Sequence, residues 1–284
     1  MDAASRGAAG FLVAGRFRLD LAKPLLMGVV NVTPDSFSDG GKFLDPKAAL
    51  AHALRLAEEG ADILDIGGES SRPGALPVSV SQEMDRILPV LEGLKGIEKA
   101  LSVDTRRPEV MQAALRAGAS MINDIEALQA PGAIEAVAKS QCAVCLMHMK
   151  GEPATMQKDP HYDDVVAEVA SFLRNRIEKA VQAGIARERI VIDPGFGFGK
   201  TAAHNFELLR RLEEFAGLGV PILAGWSRKS TLGKLTGRPA DERLAASLAA
   251  ALLALQGGAT ILRVHDVRET RDMIAVWSAF KNES

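Results

Sequence analysis

Eight short apolar runs alternate with amphipathic stretches along almost the entire chain, and this alternation restricts the possible folds more than any other feature. Each run is four to six residues long, which suits a buried strand, and the stretches between them repeat apolar residues at helical spacing. The predicted strands are residues 25–30, 62–66, 100–104, 120–124, 143–147, 190–193, 220–224 and 260–264. Such alternation is typical of a parallel sheet with its helices packed outside.

Helix-start signals lie between these strands. Asp45 precedes Pro46 as an amino-terminal cap, Ser79 with Gln82 resembles a capping box, and Pro108 opens a further helix. Eight strand–helix units predict a (β/α)8 TIM barrel, a fold that needs about 250 residues. The alternative is an open doubly wound sheet, in which functional polar residues would follow only the strands near one switch point. Polar residues follow almost every strand here, which favours the barrel.

The first 24 residues differ from the rest. Two short apolar runs, 11–13 and 17–21, flank Ala14–Gly15–Arg16, a pattern typical of a β-hairpin. We predict that this hairpin, residues 11–21, closes the amino end of a barrel formed by residues 25–281. Since no linker separates the two parts, residues 1–284 are predicted to form a single domain.

Composition argues against several classes of partner. A formal net charge of −2 gives no reason to expect nucleic acid or an anionic membrane. No apolar run reaches the roughly 20 residues of a membrane span, and the amino-terminal segment lacks the charge and apolar length of a signal peptide. Cys142 and Cys145 would point to opposite faces of a strand, so we interpret them as buried free thiols rather than a redox or metal pair. These features predict a cytoplasmic protein.

The helix predicted at residues 242–256 is apolar nearly all round after its first turn. An outer helix of a barrel should be amphipathic, so a helix that is apolar on both sides is expected to be covered by the barrel and by something else. We therefore predict a homodimer interface near this helix.

Polar residues at the predicted strand ends form one chemical set. Asp104, Asn123 and Asp193 end apolar strands and lie deep, where a carboxylate needs a hydrogen-bonded partner. The paired donors of a flat, guanidine-like heterocycle would meet that need, and Lys229 could donate to a ring carbonyl beside them. Cations and amide donors at loop height suit an anionic group such as phosphate. The residues of this second kind are Asn31, Arg72, Arg263 and His265.

Each of these residues also has a purely structural alternative. Asp104, Asn123 and Asp193 could cap neighbouring turns or helices, and Arg72 could be a solvated loop charge. His148, between two methionines, is interpreted as a hydrogen-bonded, partly buried histidine. Three aromatic residues in glycine-rich loops could join the core or stack on a ligand, namely Phe37, Phe196 and Phe198.

Two other kinds of site are disfavoured. The segment GFGFGKT at 195–201 resembles a phosphate-binding P-loop, but Pro194 occupies the position of its first glycine. The five histidines are scattered and no H-E-x-x-H occurs, so a zinc site is not expected. A single Mg²⁺ held by Asn31, phosphate oxygens and water fits better, because Mg²⁺ takes few protein ligands.

Eight segments carry a family resemblance that covers about residues 25–279. In order they are MGVVNVTPDSFSDGG, DILDIGGESSRPG, SVDTRRPEV, INDI, LMHMKGEPATMQ, IDPGFGFGK, SRKS and RVHDV. Together they resemble the dihydropteroate synthases, folate-pathway enzymes that sulfonamides inhibit. The resemblance implies a TIM barrel, usually homodimeric, that joins p-aminobenzoate to 6-hydroxymethyl-7,8-dihydropterin pyrophosphate. The implied products are 7,8-dihydropteroate and pyrophosphate.

The resemblance also implies roles for individual residues. The pterin pocket corresponds to Asp104, Asn123, Ile125, Met147, Asp193, Phe198, Lys229 and Arg263. The diphosphate site corresponds to Asn31, Ser71, Arg72, Arg263 and His265, with Mg²⁺ near Asn31 and Asp39. The p-aminobenzoate pocket corresponds to Phe37, Ser71, Pro73, Phe198, Lys229 and Ser230. The expected catalytic residues are Asp104, Lys229, Arg263 and Asp39.

In the family, the first two loops of the barrel mouth close over the substrates. Phe37 and Asp39 would belong to the first loop, with the Gly40–Gly41 pair as its hinge, and Ser71 stands where many members have threonine. The implied chemistry is an SN1-like substitution in which pyrophosphate leaves before the arylamine attacks. Two other readings remain, a pterin-dependent corrinoid methyltransferase and a non-catalytic pterin-binding barrel. The TPDSFSDGG and SSRPG loops favour the synthase, because diphosphate and arylamine binding need them.

Overall fold

The computed structural model of this protein describes residues 10–33, 46–70 and 77–282. A short antiparallel hairpin comes first, with β1 at Phe11–Ala14 and β2 at Phe17–Asp20. Eight parallel strands follow: β3 Leu25–Asn31, β4 Ile63–Gly67, β5 Ala100–Asp104, β6 Met121–Asp124, β7 Ala143–Met147, β8 Ile190–Asp193, β9 Leu223–Ala224 and β10 Ile261–Val264. The predicted hairpin and the eight predicted strands are confirmed.

The eight parallel strands form a barrel. Their order is β8-β7-β6-β5-β4-β3-β10-β9, and a parallel bridge between Ile192 and Ile222 joins the two edges. The register aligns Asn31 with Gly67, Gly67 with Asp104, and Asp104 with Asn123. Three of the predicted site residues therefore lie at one level of the barrel mouth. The prediction of a TIM barrel is confirmed.

Helices lie between the strands and pack outside the barrel. Their bounds are α1 Pro46–Glu58, α2 Val80–Gly93, α3 Pro108–Arg116, α4 Ala133–Ala138, α5 Val165–Gln182, α6 Ala202–Arg210, α7 Ser230–Thr236, α8 Leu244–Gln256 and α9 Val267–Asn282. None of the helices in the described part of the chain combines the length and apolar character that crossing a bilayer requires.

Local sequence signals explain where several helices begin. Ser79 accepts a hydrogen bond from the Gln82 amide while the Gln82 side chain accepts one from the Ser79 amide, so the predicted capping box is present. Pro46 and Pro108 are the first residues of α1 and α3. Proline is tolerated at this position because the amide hydrogen that it lacks would have no acceptor within the helix. Asp164 caps α5 through two backbone amides.

Two separate apolar layers hold the barrel together. The outer layer packs the helices against the outward faces of the strands. The inner layer fills the amino-terminal half of the lumen, and Leu12 and Ala14 of the hairpin join it without measurable exposure. Burying a leucine of this kind stabilises the fold by about 2 kcal/mol. The hairpin thus closes the amino end of the barrel as predicted, and the open end is the carboxyl end.

The structure differs from the sequence-based prediction at two elements. The seventh barrel strand is only Leu223–Ala224 rather than 220–224, because Pro221 has no amide hydrogen for a ladder. The helix predicted from residue 242 begins at Leu244, after a short 3₁₀ turn at Ala240–Glu242.

The two cysteines have the positions predicted for buried free thiols. Both are free and buried, and they belong to opposite faces of the strand, with Cys142 in the outer layer and Cys145 in the inner layer. Burial raises the pKa of each thiol, so neither is primed as a nucleophile.

Candidate active site

A cavity of about 330 Å³ opens at the carboxyl ends of the strands. Residues at seven of the strand ends, or in the loops after them, line it, and seven of the lining residues were predicted from the sequence. They are Asn31, Asp104, Phe198, Lys229, Ser230, Arg263 and His265. The structure therefore brings both classes of predicted residue, deep acceptors and cations, to one opening, which is where ligands bind in TIM barrels.

Four further predicted residues lie beside or beneath this cavity. Asn123, Asp193 and Met147 are buried, with 4–6% of their surface exposed. Ile125 lines a neighbouring cavity of about 220 Å³, whose wall also includes Asp104. The remaining predicted residues lie outside the described part of the chain. These are Phe37, Asp39, Ser71, Arg72 and Pro73.

Arg263 forms a bridge between two carboxylates across the lumen. Its Nε donates to Asp65 Oδ2 at 2.7 Å, and its Nη2 donates to Asp104 Oδ2 at 2.9 Å. The planar guanidinium suits such a fork, which an ammonium could not reproduce. Asp104 is thus paired across the barrel and does not cap α3, whose amino-terminal cap is Arg107. The capping alternative for Asp104 is wrong.

Asp65 is a site residue that the sequence-based reasoning missed. It lies inside the apolar strand β4, is fully buried, and its Oδ2 also accepts a hydrogen bond from Asn123 Nδ2 at 3.1 Å. The sequence did contain an indication of this role. Asp65 is a carboxylate within an apolar run, two residues after Ile63, so it lies on the same face of the strand as Ile63, which faces the lumen. A buried carboxylate at an inward position requires a cation or donor nearby, and Arg263 is that cation.

The pKa of the Asp104 carboxyl is raised to about 7. Burial is the largest cause, and the neighbouring charges of Asp65, Glu83 and Asp124 act in the same direction, while Arg263 opposes them. A carboxylate whose charge is costly in the free protein gains most when a positive charge develops beside it. Such a perturbed group in a cleft is typical of a functional site.

Asp193 is buried beneath the cavity and interacts electrostatically with Lys229, which lines it. Asp193 Oδ1 accepts a hydrogen bond from the Gly195 amide at 2.7 Å, and burial raises the pKa of its carboxyl. Burial lowers the pKa of the Lys229 ammonium to about 8, with Asp193 opposing that effect. Lys229 Nζ lies 4.1 Å from the centre of the Phe198 ring, a cation–π contact. Phe198 faces the cavity, whereas Phe196 is buried against Trp226 and belongs to the core.

The rim beside Arg263 is rich in donors. The Ser227 hydroxyl lies 2.9 Å from His265 Nδ1, and the His265 amide donates to the same oxygen at 3.2 Å. Arg228 donates through two guanidinium nitrogens to Asp266, and Arg243 donates to the Arg228 carbonyl at 3.0 Å. Both arginines line the cavity. Their positive charge at the rim favours an anionic ligand there.

Lys200, the lysine of the GFGFGKT segment, fastens the loop that carries Phe198. Its buried ammonium donates to the carbonyls of Gly195 (2.9 Å) and Phe198 (3.0 Å) and to His148 Nδ1 (3.0 Å). Burial lowers the pKa of Lys200 to about 7. Burial and the adjacent ammonium lower the pKa of His148 to about 2, so its ring is neutral and accepts through Nδ1. The structural interpretation of His148 is confirmed.

Replacing Lys200 by methionine is expected to lower the free energy of unfolding by about 3 kcal/mol, because the loop carbonyls lose their donor. Urea denaturation followed by circular dichroism measures this loss. Lys158→Met, at an exposed position, is the matched control and should leave the midpoint unchanged. A Lys200→Met midpoint equal to that of the wild type would show that the ammonium does not hold the loop.

The side chains that line the cavity suit a metal ion that takes few ligands from the protein. No group of three or more His, Cys, Asp or Glu side chains able to hold a metal occurs among the described residues. Asn31 ends β3 at the cavity wall, and its amide oxygen is a hard donor of the kind that Mg²⁺ accepts.

Comparison with known proteins identifies the family. Residues 27–265 match the pterin binding enzyme family. The chain belongs to this family. It is 48% identical to the dihydropteroate synthase of Haemophilus influenzae over 272 residues, covering 95% of this chain and 99% of that protein.

Solved structures of relatives have the same fold as this pterin-binding enzyme. The dihydropteroate synthase of Xanthomonas albilineans with 4-aminobenzoic acid is 55% identical, with a TM-score of 0.91 over 96% of this chain and 99% of that one. The same enzyme with 7,8-dihydropteroate is 53% identical, with a TM-score of 0.87 over 95% and 98%. The Yersinia pestis enzyme with a sulfonamide drug is 48% identical, with a TM-score of 0.92 over 96% and 99%.

Proposed function

We propose that this pterin-binding enzyme is a dihydropteroate synthase. It condenses 6-hydroxymethyl-7,8-dihydropterin pyrophosphate with p-aminobenzoate, and it releases 7,8-dihydropteroate and pyrophosphate. The observation that carries this proposal is one cavity with buried acceptors on its floor and cations on its rim. Two relatives that are 48% and 52% identical to this chain, over nearly their full lengths, are dihydropteroate synthases.

The buried acceptors suit the pterin ring. Asp193 and Asn123 would accept from the ring N–H groups, and Lys229 would donate to the ring carbonyl. Met147, Ile125 and Phe198 would supply apolar walls, and Arg263 would cover the ring face. This assignment pairs each donor of a guanidine-like edge with an acceptor, which avoids unsatisfied buried polar groups.

The cationic rim suits the diphosphate. Arg263 and His265 would contact its oxygens, together with Ser71 and Arg72 from outside the described residues. Asn31 would hold Mg²⁺ beside the diphosphate, with Asp39 as a further ligand. The ion would supply charge neutralisation for the leaving pyrophosphate.

The residues of this chain support a dissociative substitution. An arylamine at neutral pH is already a free nucleophile, so its attack does not require a general base. Departure of pyrophosphate is therefore the difficult step, and Arg263 and His265 would stabilise the negative charge that develops on it. Asp104 and Asp193 would stabilise the positive charge on the pterin methylene.

The second substrate would occupy the part of the cavity near Phe198, Lys229 and Ser230. Phe37, Ser71 and Pro73 would complete this p-aminobenzoate pocket. Holding the amine in the correct orientation beside the cationic carbon makes the bimolecular step effectively unimolecular. A sulfonamide, which resembles p-aminobenzoate, would compete for the same pocket.

One assay tests the proposal against its two rivals. Purified protein with the pterin substrate and Mg²⁺ is expected to release pyrophosphate only when p-aminobenzoate is present, and a chelator is expected to stop the release. A corrinoid methyltransferase or a non-catalytic barrel would bind the pterin without release. Pterin binding with no p-aminobenzoate-dependent release would refute the synthase assignment.

The dependence of kcat/KM on pH should report Asp104. The raised pKa of its carboxyl predicts that kcat/KM increases as the pH increases through about 7, because the charged form stabilises the cation. Above about pH 8, kcat/KM should decrease again, because Lys229 loses the proton that it would donate to the ring carbonyl. Asp124 has a similar pKa, but its oxygens accept from the Glu126 and Leu128 amides in a turn outside the cavity. Initial rates at limiting pterin substrate measure the profile, and a flat profile through pH 7 would contradict the prediction.

We also propose that the enzyme is a cytoplasmic homodimer. Apolar side chains remain exposed on α8 and α9, including Leu253 (50%) and Val276 (73%). A second copy of this chain would cover this surface. Leu253→Glu is expected to shift the sedimentation profile from dimer to monomer at micromolar concentration. Val181→Glu, an exposed apolar position on α5, is the control that should stay dimeric, and a wild-type monomer would contradict the proposal.

A further inference from the structure

Asp65 lies one level below the strand ends that form the barrel mouth, Asn31, Gly67 and Asp104. In the barrel register it is aligned with Val29 and Ser102, each two residues before the strand ends at Asn31 and Asp104. Its surface is fully buried and it is not among the residues that line the cavity. Any effect of Asp65 on the reaction must therefore pass through other side chains.

One oxygen of Asp65 gathers two side chains that the proposed function assigns to the pterin. Oδ2 accepts from Arg263 Nε at 2.7 Å and from Asn123 Nδ2 at 3.1 Å. Oδ1 is buried and has no hydrogen-bond partner among the described residues. A buried carboxylate with hydrogen bonds to only one of its oxygens lowers the stability of the fold, so a stabilising role does not explain why Asp65 occupies this position.

The contact with Arg263 fixes which guanidinium nitrogen remains for a substrate. Asp65 takes Nε and Asp104 takes Nη2, which leaves Nη1 without a protein partner in the part of the chain that the structure describes. The guanidinium plane is held at two points, so its third nitrogen has a defined direction. Without Asp65 the side chain would turn about its remaining contact with Asp104.

The contact with Asn123 fixes the orientation of its amide. A carboxylate only accepts hydrogen bonds, so the NH₂ group of Asn123 must face Asp65. The amide oxygen then faces away from Asp65, where it can accept from a ring N–H. A neutral side chain at position 65 that both donates and accepts would allow the Asn123 amide to flip. The flipped amide would turn its NH₂ group toward the ring N–H of the pterin, and two donors cannot form a hydrogen bond.

We propose that Asp65 is a positioning residue that sets the Arg263 fork and the Asn123 amide for the pterin substrate, an inference that rests on the proposed function. Asp65 makes no contact with substrate itself. It acts through two side chains from β6 and β10, on either side of the lumen.

The isosteric variant Asp65→Asn tests this role. We expect kcat/KM for the pterin substrate to fall about 100-fold, because a small misplacement of binding groups costs that much. Both parameters should change, with KM raised and kcat lowered, whereas KM for p-aminobenzoate should stay near the wild-type value. Ser102→Ala is the matched control. Ser102 is also buried at this level, its hydroxyl has no described partner, and its loss should leave both parameters unchanged.

A double-mutant cycle separates positioning from a purely structural role. The dissociation constant of the pterin substrate is measured without p-aminobenzoate for Asp65→Asn, Asn123→Ala and the double variant. Positioning predicts that Asp65→Asn adds much less to the loss once Asn123 is gone, because the two residues act as a unit. Independent, additive losses would overturn the proposal. Asp65→Ser replaces Asp65→Asn in the cycle if the latter does not unfold cooperatively.

The outcomes distinguish this inference from the proposed function. If the wild type binds the pterin but releases no pyrophosphate, the synthase assignment fails, and the binding cycle still decides the role of Asp65. If the wild type is an active synthase and Asp65→Asn retains its kcat/KM, the role of Asp65 is refuted and the synthase assignment stands.

Discussion

Replacing Asp104 by asparagine is expected to lower kcat by about 100- to 1000-fold while KM for the pterin substrate changes by less than about threefold. The amide keeps the shape and one acceptor of the carboxylate, so the ground-state complex still forms. It loses the negative charge that would stabilise the methylene cation. A group that acts mainly in the transition state affects kcat more than substrate binding.

Stability provides a control within the same variant. Because burial raises the pKa of Asp104 to about 7, the folded protein binds a proton that the unfolded chain has already lost between about pH 4 and pH 7. The carboxyl therefore costs folding free energy above pH 7, and Asp104→Asn should unfold at no lower temperature than the wild type at pH 8. An inactive variant with undiminished stability would localise the defect to the chemistry.

Asp124 provides the matched substitution at a neighbouring strand end. Its carboxyl has a pKa raised to about 7 as well, chiefly by burial, but its oxygens only cap a turn. In Asp124→Asn one of the two backbone amides loses its acceptor, so the variant can lose stability, but it should keep its kcat per folded molecule. Steady-state pyrophosphate release and thermal melts measure all three proteins. If Asp104→Asn retained wild-type turnover, the assignment of Asp104 to the cation would be wrong.

Replacing Arg263 by lysine is expected to lower kcat/KM by about 1000-fold and the free energy of unfolding by about 3 kcal/mol. Lysine keeps the charge but cannot reach Asp65 and Asp104 at once with a fixed plane. One carboxylate would remain buried without its cation, and the diphosphate would lose a directed donor. Pyrophosphate-release kinetics and urea denaturation measure the two losses.

Arg228 provides the control for this prediction. It also lines the cavity and also pairs through two nitrogens with a carboxylate, Asp266, but that pair is more exposed to water. Arg228→Lys should cost less than about tenfold in kcat/KM, because exposed ion pairs contribute little. If Arg263→Lys were equally mild, positive charge alone would suffice and the geometry of the fork would not matter.

Much of the site was predictable because position along a strand determines level in a barrel. Asn31, Asp104, Asp193 and Arg263 were each recognised as polar residues at the ends of apolar runs, and the structure places all four at the barrel mouth. The register of parallel strands explains this success, since equivalent ends must meet at the same edge. The lining of the cavity by Lys229 and Ser230 follows from the loop after β9 in the same way.

Pairing across the lumen was not predictable. The sequence-based reasoning placed Arg263 at loop height with the phosphate ligands, whereas in the structure it also neutralises the deep carboxylates. Asp65 lies 198 positions away from Arg263, and nothing local to either residue indicates the contact. A long side chain can follow several directions from its strand, and only the packed lumen selects one of them.

The sequence alone predicted the fold class, the end of the barrel at which the candidate site lies and the chemistry of the proposed ligand, because strand length, period and strand-end polarity are local properties. The tertiary structure alone decided which charges neutralise each other and which remain for a substrate. Two examples are the hydrogen bonds of Arg263 to Asp65 and Asp104, and those of Lys200 to the loop that carries Phe198. The physical reason is that the free energy of a buried charge depends on every group around it, and closing the barrel brings those groups together from distant parts of the chain.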